Sequence, residues 1–239
     1  MLLTRALPSA LAVPLHRKLA WAKTSASAIS HLPLAAMAAQ FKVLAALACP
    51  GDSEACGGVC KGDKVFEAAA LALALPRSPS HPPHVSAAIN DLRVAAATLL
   101  ANLATRKGSD SAWSARPALL TQCFGALRDE CVGVRAASAA CIAALVRNSV
   151  RLRVTPGIEE AVRGALSDNT ALLASAKGRG VAHLAAHFNT LRGDPPTAAH
   201  PLSVEEAAEE ARQVKNAAGI LETAVRCCGE ALSSLLHHG

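Results

Sequence analysis

Apolar residues recur at three- and four-residue steps along most of this chain, and clusters of proline and glycine cut the pattern into stretches of helical length. The spacing predicts a helix over residues 32–48, ended before Pro50, and another over 64–75, which Pro76, Pro79, Pro82 and Pro83 forbid from continuing. Residues 77–84 read as a linker. Helical patterning then runs from 85 to 187, with breaks at 106–111 and 148–156. A Gly-Asp-Pro-Pro loop begins at Gly193, and a last helix is expected over 204–238, with Gly219 and Gly229 as candidate breaks. Ser203 and Glu206 have the spacing of a capping box at its start.

Within the helical stretch the chain nearly repeats itself. The run from Leu92-Arg93 to Asn102-Leu103 returns, at an offset of 42, as Val134-Arg135 to Ala144-Leu145. A second correspondence has an offset of 39: Pro117 through Leu127-Arg128-Asp129 matches Pro156 through Leu166-Ser167-Asp168. Each block opens with a proline suited to a helix start, reaches a leucine ten residues on, passes through a polar turn with Asp and enters an Ala-rich helix. Periods of about 40–47 residues built from two or three helices belong to armadillo and HEAT arrays, in which each unit buries its apolar face against its neighbours. The expected fold is therefore all-α, an armadillo/HEAT-like α-solenoid of about five to six repeats over residues 31–239, with 1–30 as a basic lead.

Composition supports helices over strands. Hydrophobic residues make up 51% of the 239, yet aromatics only 3% with no tyrosine, so the apolar content is mostly Ala, Leu and Val. The longest apolar run, 65–75, contains Glu67 and stops at Pro76, short of the ~20 residues that span a bilayer. Of the net charge of +6, +5 comes from Arg5, Arg17, Lys18, Lys23 and Lys42, in a first 51 residues without any acid. A basic, Ser/Ala/Leu-rich lead has the composition of a mitochondrial or plastid transit peptide, or of an ordinary first helix. The expected compartment is the cytoplasm, with an organelle as the alternative. A basic stripe interleaved with aromatics is missing, so nucleic acid is not an expected partner.

Constellations for catalysis are weak. Cys49, Cys56 and Cys60 lie within twelve residues and could offer three thiolates to zinc with His81 or His84, but the spacing is not CxxC. His183 and His187 share a helical face without the glutamate a zinc protease needs. Neither a nucleophile elbow nor a phosphate-cradling loop occurs. No enzyme activity, cofactor or metal is expected, and Cys123, Cys131 and Cys141 read as small hydrophobes within repeats. The arginines carry more. Arg93 and Arg135 occupy equivalent repeat positions, and Arg147 and Arg151 follow one turn apart. A stacked set of guanidinium forks suits an acidic peptide. The competing reading has these side chains capping helix carbonyls or bonding acids such as Asp91 and Glu130.

Several of these segments resemble the PUL domain of the phospholipase A2-activating protein family. Asp91-Leu92-Arg93 through Ala101-Asn102-Leu103 is similar to that family's Leu-Arg helix ending in Asn-Leu, and Val134 through Asn148-Ser149-Val150 is similar to its Ala-rich helix ending in Asn-Tyr-Ser-Val. Phe41 to Leu44 and Glu222 to Cys228 are similar to its opening and closing helices, whereas Ala45 and Ala48 depart from it. The resemblance implies a six-repeat armadillo-like monomer whose basic groove takes the acidic C-terminal tail of a hexameric AAA+ ATPase in ubiquitin-dependent protein turnover. Arg93, Arg135, Arg147 and Arg151 are the peptide-binding residues expected on this reading.

Overall fold

Eight helices, and no strand, make up the residues that the computed structural model describes: 31–48, 63–75, 81–106, 110–148, 155–191 and 203–237, with residues 17 and 152. They are α1 (His31–Leu47), α2 (Asp63–Leu73), α3 (Pro83–Ala104), α4 (Asp110–Ser114), α5 (Pro117–Ala126), α6 (Val132–Asn148), α7 (Ile158–Leu191) and α8 (Val204–Leu236). Proline opens α3 and α5, where its missing N–H removes a donor that has no partner in a first turn. At the start of α8, Ser203 Oγ accepts from the Glu206 amide (3.2 Å) while Glu206 Oε2 accepts from the Ser203 amide (2.9 Å), the reciprocal cap read from the sequence.

The long helices pack in series: α1 on α3, α3 on α6, and α6 on α8. The shorter α2 and α5 lie against α3 and α6 respectively and touch each other, and α4 braces α5. Two side-chain bonds set the direction of the series. Asn102 Nδ2 donates to the Ala45 carbonyl near the end of α1, and Asn148 Nδ2 donates to the Ala104 carbonyl at the end of α3, both at 2.9 Å. The C-terminal ends of α1, α3 and α6 therefore sit side by side, and these three helices run parallel. Gly133 permits the close approach of α6 to α3, because a Cβ there would come within 2.8 Å of Val94 Cγ2.

One core runs through the layers, from Phe41 and Leu44 in α1 through Ile89, Leu92, Leu99 and Leu103 in α3 to Ile142 and Leu145 in α6. It is built largely from Ala and Leu, and its one aromatic node among the described residues is Phe66 against Trp113, an edge-to-face pair with centroids 5.6 Å apart. Arg116 lies over the Phe66 ring at 4.5 Å. Cys123 and Cys141 are buried as expected, and Cys131 is half-buried.

Two expectations fail in the last third. The polar turn predicted at 166–168 is absent, and α7 runs unbroken for 34 residues. After α5, Asp129 Oδ1 accepts from the Cys131 amide two residues on (2.9 Å) and so closes the turn that leads into α6. In α7 the corresponding Asp168 instead pairs with Arg128 (2.7 Å), and the adjacent Asn169 bonds the Ala165 carbonyl of its own helix (2.8 Å), so nothing turns the chain. Nor does α8 break at Gly219 or Gly229; it continues for 33 residues. The two rods pair with each other, and among the described residues the base of the pair joins the main core: α7 enters it through Ile158, Val162 and Ala165, and α8 from Ala224 onward. Beyond that, Ala207, Ala218 and Leu221 are buried away from the main core, and Lys177 pairs with Glu222 (2.6 Å) across the two rods.

Candidate functional site

Four backbone carbonyls at the end of every helix lack an intrahelical donor, and the two repeat-equivalent arginines supply such donors. Arg93, in α3, donates from Nε to the Leu73 carbonyl at the end of α2 (3.2 Å). Its two terminal nitrogens grip the Asp129 carboxylate in a bidentate pair, Nη1 to Oδ1 at 3.2 Å and Nη2 closely to Oδ2. Arg135, its counterpart in α6, repeats the scheme: Nη2 donates to the Arg128 carbonyl (3.2 Å) and Nε to the Asp129 carbonyl, just after α5, while Nη1 reaches Asn169 Oδ1 on α7 (3.2 Å). Each arginine therefore ties the end of the preceding short helix to a residue 34 or 36 positions ahead in the chain.

Arg93 is 8% exposed and Arg135 half-buried, so both take the second role the sequence offered, capping carbonyls and bonding an acid or amide, and do not stand open in a groove. The acid is Asp129 rather than Asp91 or Glu130. The physical reason is local: a guanidinium placed where the end of one short helix meets the start of the next long one finds several acceptors at once inside the array.

Asn169 is the second interior node. It is fully buried, accepts from Arg135, donates to Ala165 and hydrogen-bonds Cys228 on α8. Burial, with the neighbouring Cys227 adding to it, pushes the Cys228 thiol up to about 11, and the bond with Asn169 pulls it back in part. Burial also holds the Cys141 thiol well above its usual range, reinforced by a hydrogen bond with Cys123. The sequence reading passed over Asp129, Asn169 and Asn102 as working residues. The signal for Asn102 and Asn148 was there, since each stands at or near the end of an Ala-rich long helix.

Arg147 is exposed in the last turn of α6, beside Asn148. Arg151 lies outside the described residues, as do Cys49, Cys56 and Cys60; His183 and His187 lie on the helical backbone of the second half of α7. Among the described residues no three potential metal ligands converge. No described helix is long and apolar enough to cross a membrane.

An open groove of about 780 Å³ lies between α5 and the start of α7, lined in part by Phe124, Arg128, Gly157, Glu160 and Arg163. Its arginines are answered locally, Arg128 by Asp168 (2.7 Å) and Arg163 by Glu159 (2.6 Å), and Glu160 adds a further carboxylate. The groove is thus large enough for side chains but not basic. α1 and α6 contain no acid, and the one acid of α3, Asp91, lies in the first half of its helix. Comparison with protein-family models, with curated proteins and with solved structures finds no match.

Proposed function

We propose that this chain is a non-catalytic helical-repeat adaptor of armadillo/HEAT type that binds an acidic peptide or protein segment. The observation that carries the reading is repetition in bonding as well as in sequence: the repeat-equivalent Arg93 and Arg135 each tie a short helix's final carbonyls to a residue further on. Such units hold only their neighbours, and the extended surface they build is suited to binding a chain rather than enclosing a small molecule. The resemblance of the Arg93–Leu103 and Val134–Val150 segments to the PUL domain gives the proposal its specific form, the acidic C-terminal tail of a AAA+ ATPase acting in ubiquitin-dependent turnover.

The test is a fluorescence-anisotropy titration of the full chain with an acidic peptide copied from such a tail, against a peptide with every acid changed to its amide. Saturable binding of the acidic peptide alone, weakening as salt rises, is expected. Equal or absent binding of both by a folded protein would leave a generic helical scaffold and remove the acidic partner.

A further inference from the structure

We infer that the outer face of α1 is the docking site for a helix formed by residues 15–26 of this chain's own basic lead, laid antiparallel against it. The docking does not depend on the adaptor reading, since it lies on the side of α1 facing away from the core. On the core side α1 buries Leu34, Met37, Phe41 and Leu44. Its other side shows Ala35, Ala36, Ala39, Val43 and Ala46, all exposed, with Lys42 on the margin. At 100° per residue these five apolar positions fall within a sector of about 100°.

An array of helices needs a polar exterior on its terminal units. The exposed side of α8 has one, with Glu205, Glu206, Glu209, Arg212 and Lys215. The first helix of the series lacks it, and Val43 is 45% exposed in the middle of an apolar stripe.

The chain supplies a cover of matching form. Leu15, Leu19, Ala22 and Ala26 recur at steps of four, three and four, one apolar stripe on a helix that Pro14 is placed to open. Arg17, the described residue of this stretch, is helical and exposed, and the periodicity sets it on the side of that helix opposite Leu15 and Leu19. Twelve residues extend about 18 Å, enough to cover Ala35 to Val43 of the 17-residue α1, about 26 Å long. Residues 27–30 then remain as the connection, a length that joins antiparallel helices. Leucines set against alanines let the two helices interdigitate closely.

Other occupants fit less well. Outside the described residues, 49–62 holds Val59 as its one large aliphatic side chain and 192–202 holds Leu202, so neither supplies such a stripe. A second copy of the chain would meet five small side chains, against the roughly 20–30 residues a side of a specific dimer, whereas a tethered segment has its concentration supplied by the chain. Of the two roles that composition allows the lead, this assigns it the first helix of the array.

The experiment is hydrogen–deuterium exchange with mass spectrometry on the full chain. Amides of residues 19–26 are expected to exchange about 100-fold more slowly than in a synthetic peptide of residues 1–30. The protection should be the same at about 1 and about 100 μM protein, as an intramolecular contact requires. Ala39→Lys/Val43→Lys should speed exchange at 19–26 about tenfold or more and leave α3 and α6 unchanged. Leu15→Lys/Leu19→Lys should do the same from the other side of the contact, so a folding fault in one pair leaves the other as the test. The control Asn216→Lys, at an exposed position of α8, should change nothing there. Exchange at the peptide's rate in the folded wild-type chain overturns the lead as the cover. Protection that survives Ala39→Lys/Val43→Lys overturns the site on α1, and protection that appears only at the higher concentration replaces the lead with a second copy.

Discussion

Removing the Asp129 carboxylate is the sharpest perturbation of this fold. Asp129→Ala strands the Arg93 guanidinium, since both side chains of the pair are 10% exposed. It also deletes the acceptor for the Cys131 amide at the start of α6. Breaking a buried pair by removing one partner costs about 3–5 kcal/mol, because the remaining charge stays desolvated. Leaving the Cys131 amide without its acceptor adds about 1 kcal/mol. The sum of about 4–6 kcal/mol is comparable with the whole stability of an ordinary domain, about 5–15 kcal/mol. Arg93→Met should cost less, since Met fills the space of the aliphatic stem and the Asp129 carboxylate keeps its bond from the Cys131 amide. The double variant Arg93→Met/Asp129→Ala should recover about 2 kcal/mol relative to the sum of the two, the signature of direct coupling. Urea unfolding followed by circular dichroism measures all four proteins. Additive costs, or an Asp129→Ala loss below about 1 kcal/mol, would refute the interlocking role and return Arg93 to the surface.

Gly133→Ala should destabilise by about 1–3 kcal/mol through overpacking against Val94, read as a lower urea midpoint, and Gly133→Ala with Val94→Ala should restore most of it. Native alkylation should modify half-buried Cys131 well before Cys123, Cys141, Cys227 and Cys228, with the order lost in denaturant; equal rates for Cys131 and Cys141 in peptide-mapped mass spectrometry would contradict their burial. The folded-state pKa of Cys228 is raised, so the folded state holds its proton longer than the unfolded chain: stability is full below pH 9.0 and falls as pH climbs from there toward about 11, a decline that Cys228→Ala should reduce. The Glu206 carboxyl is held below its ordinary value chiefly by the Ser203 amide, so its contribution is complete above pH 4.5 and disappears as pH drops through the lower folded value; amide exchange in the first turn of α8 should rise there, and Ser203→Ala should reduce the pH step.

The helix starts at Pro117 and at the Ser203–Glu206 box were legible because they depend on residues within a turn or two, whereas Pro83, read as part of a linker, opens α3. The interior direction of Arg93 was not, because its partner is 36 positions away and becomes available only once α5 has ended. The same limit explains the misread turn at 166–168. Leu127-Arg128-Asp129 and Leu166-Ser167-Asp168 look alike locally, yet one aspartate accepts from an amide two residues ahead and the other reaches sideways to Arg128. The acid-free helix ends were visible as composition, but their alignment required the asparagine bonds that join them.

The two rods at the end of the chain have a mechanical consequence. At about 1.5 Å per residue, the 34-residue α7 is about 51 Å long, while the 17-residue α6, against which α8 packs, is about 26 Å. Among the described residues, the α7–α8 pair meets the main core near its base, at Val162 and Ala165 of α7 and from Ala224 onward in α8, so about 25 Å of the pair extends beyond that contact. A tilt of about 10° at that base sweeps the tip through roughly 4 Å, nearly the rise of a helical turn. Any partner that grips both the tip and the helix series would thus feel a shift at the base magnified in its own position.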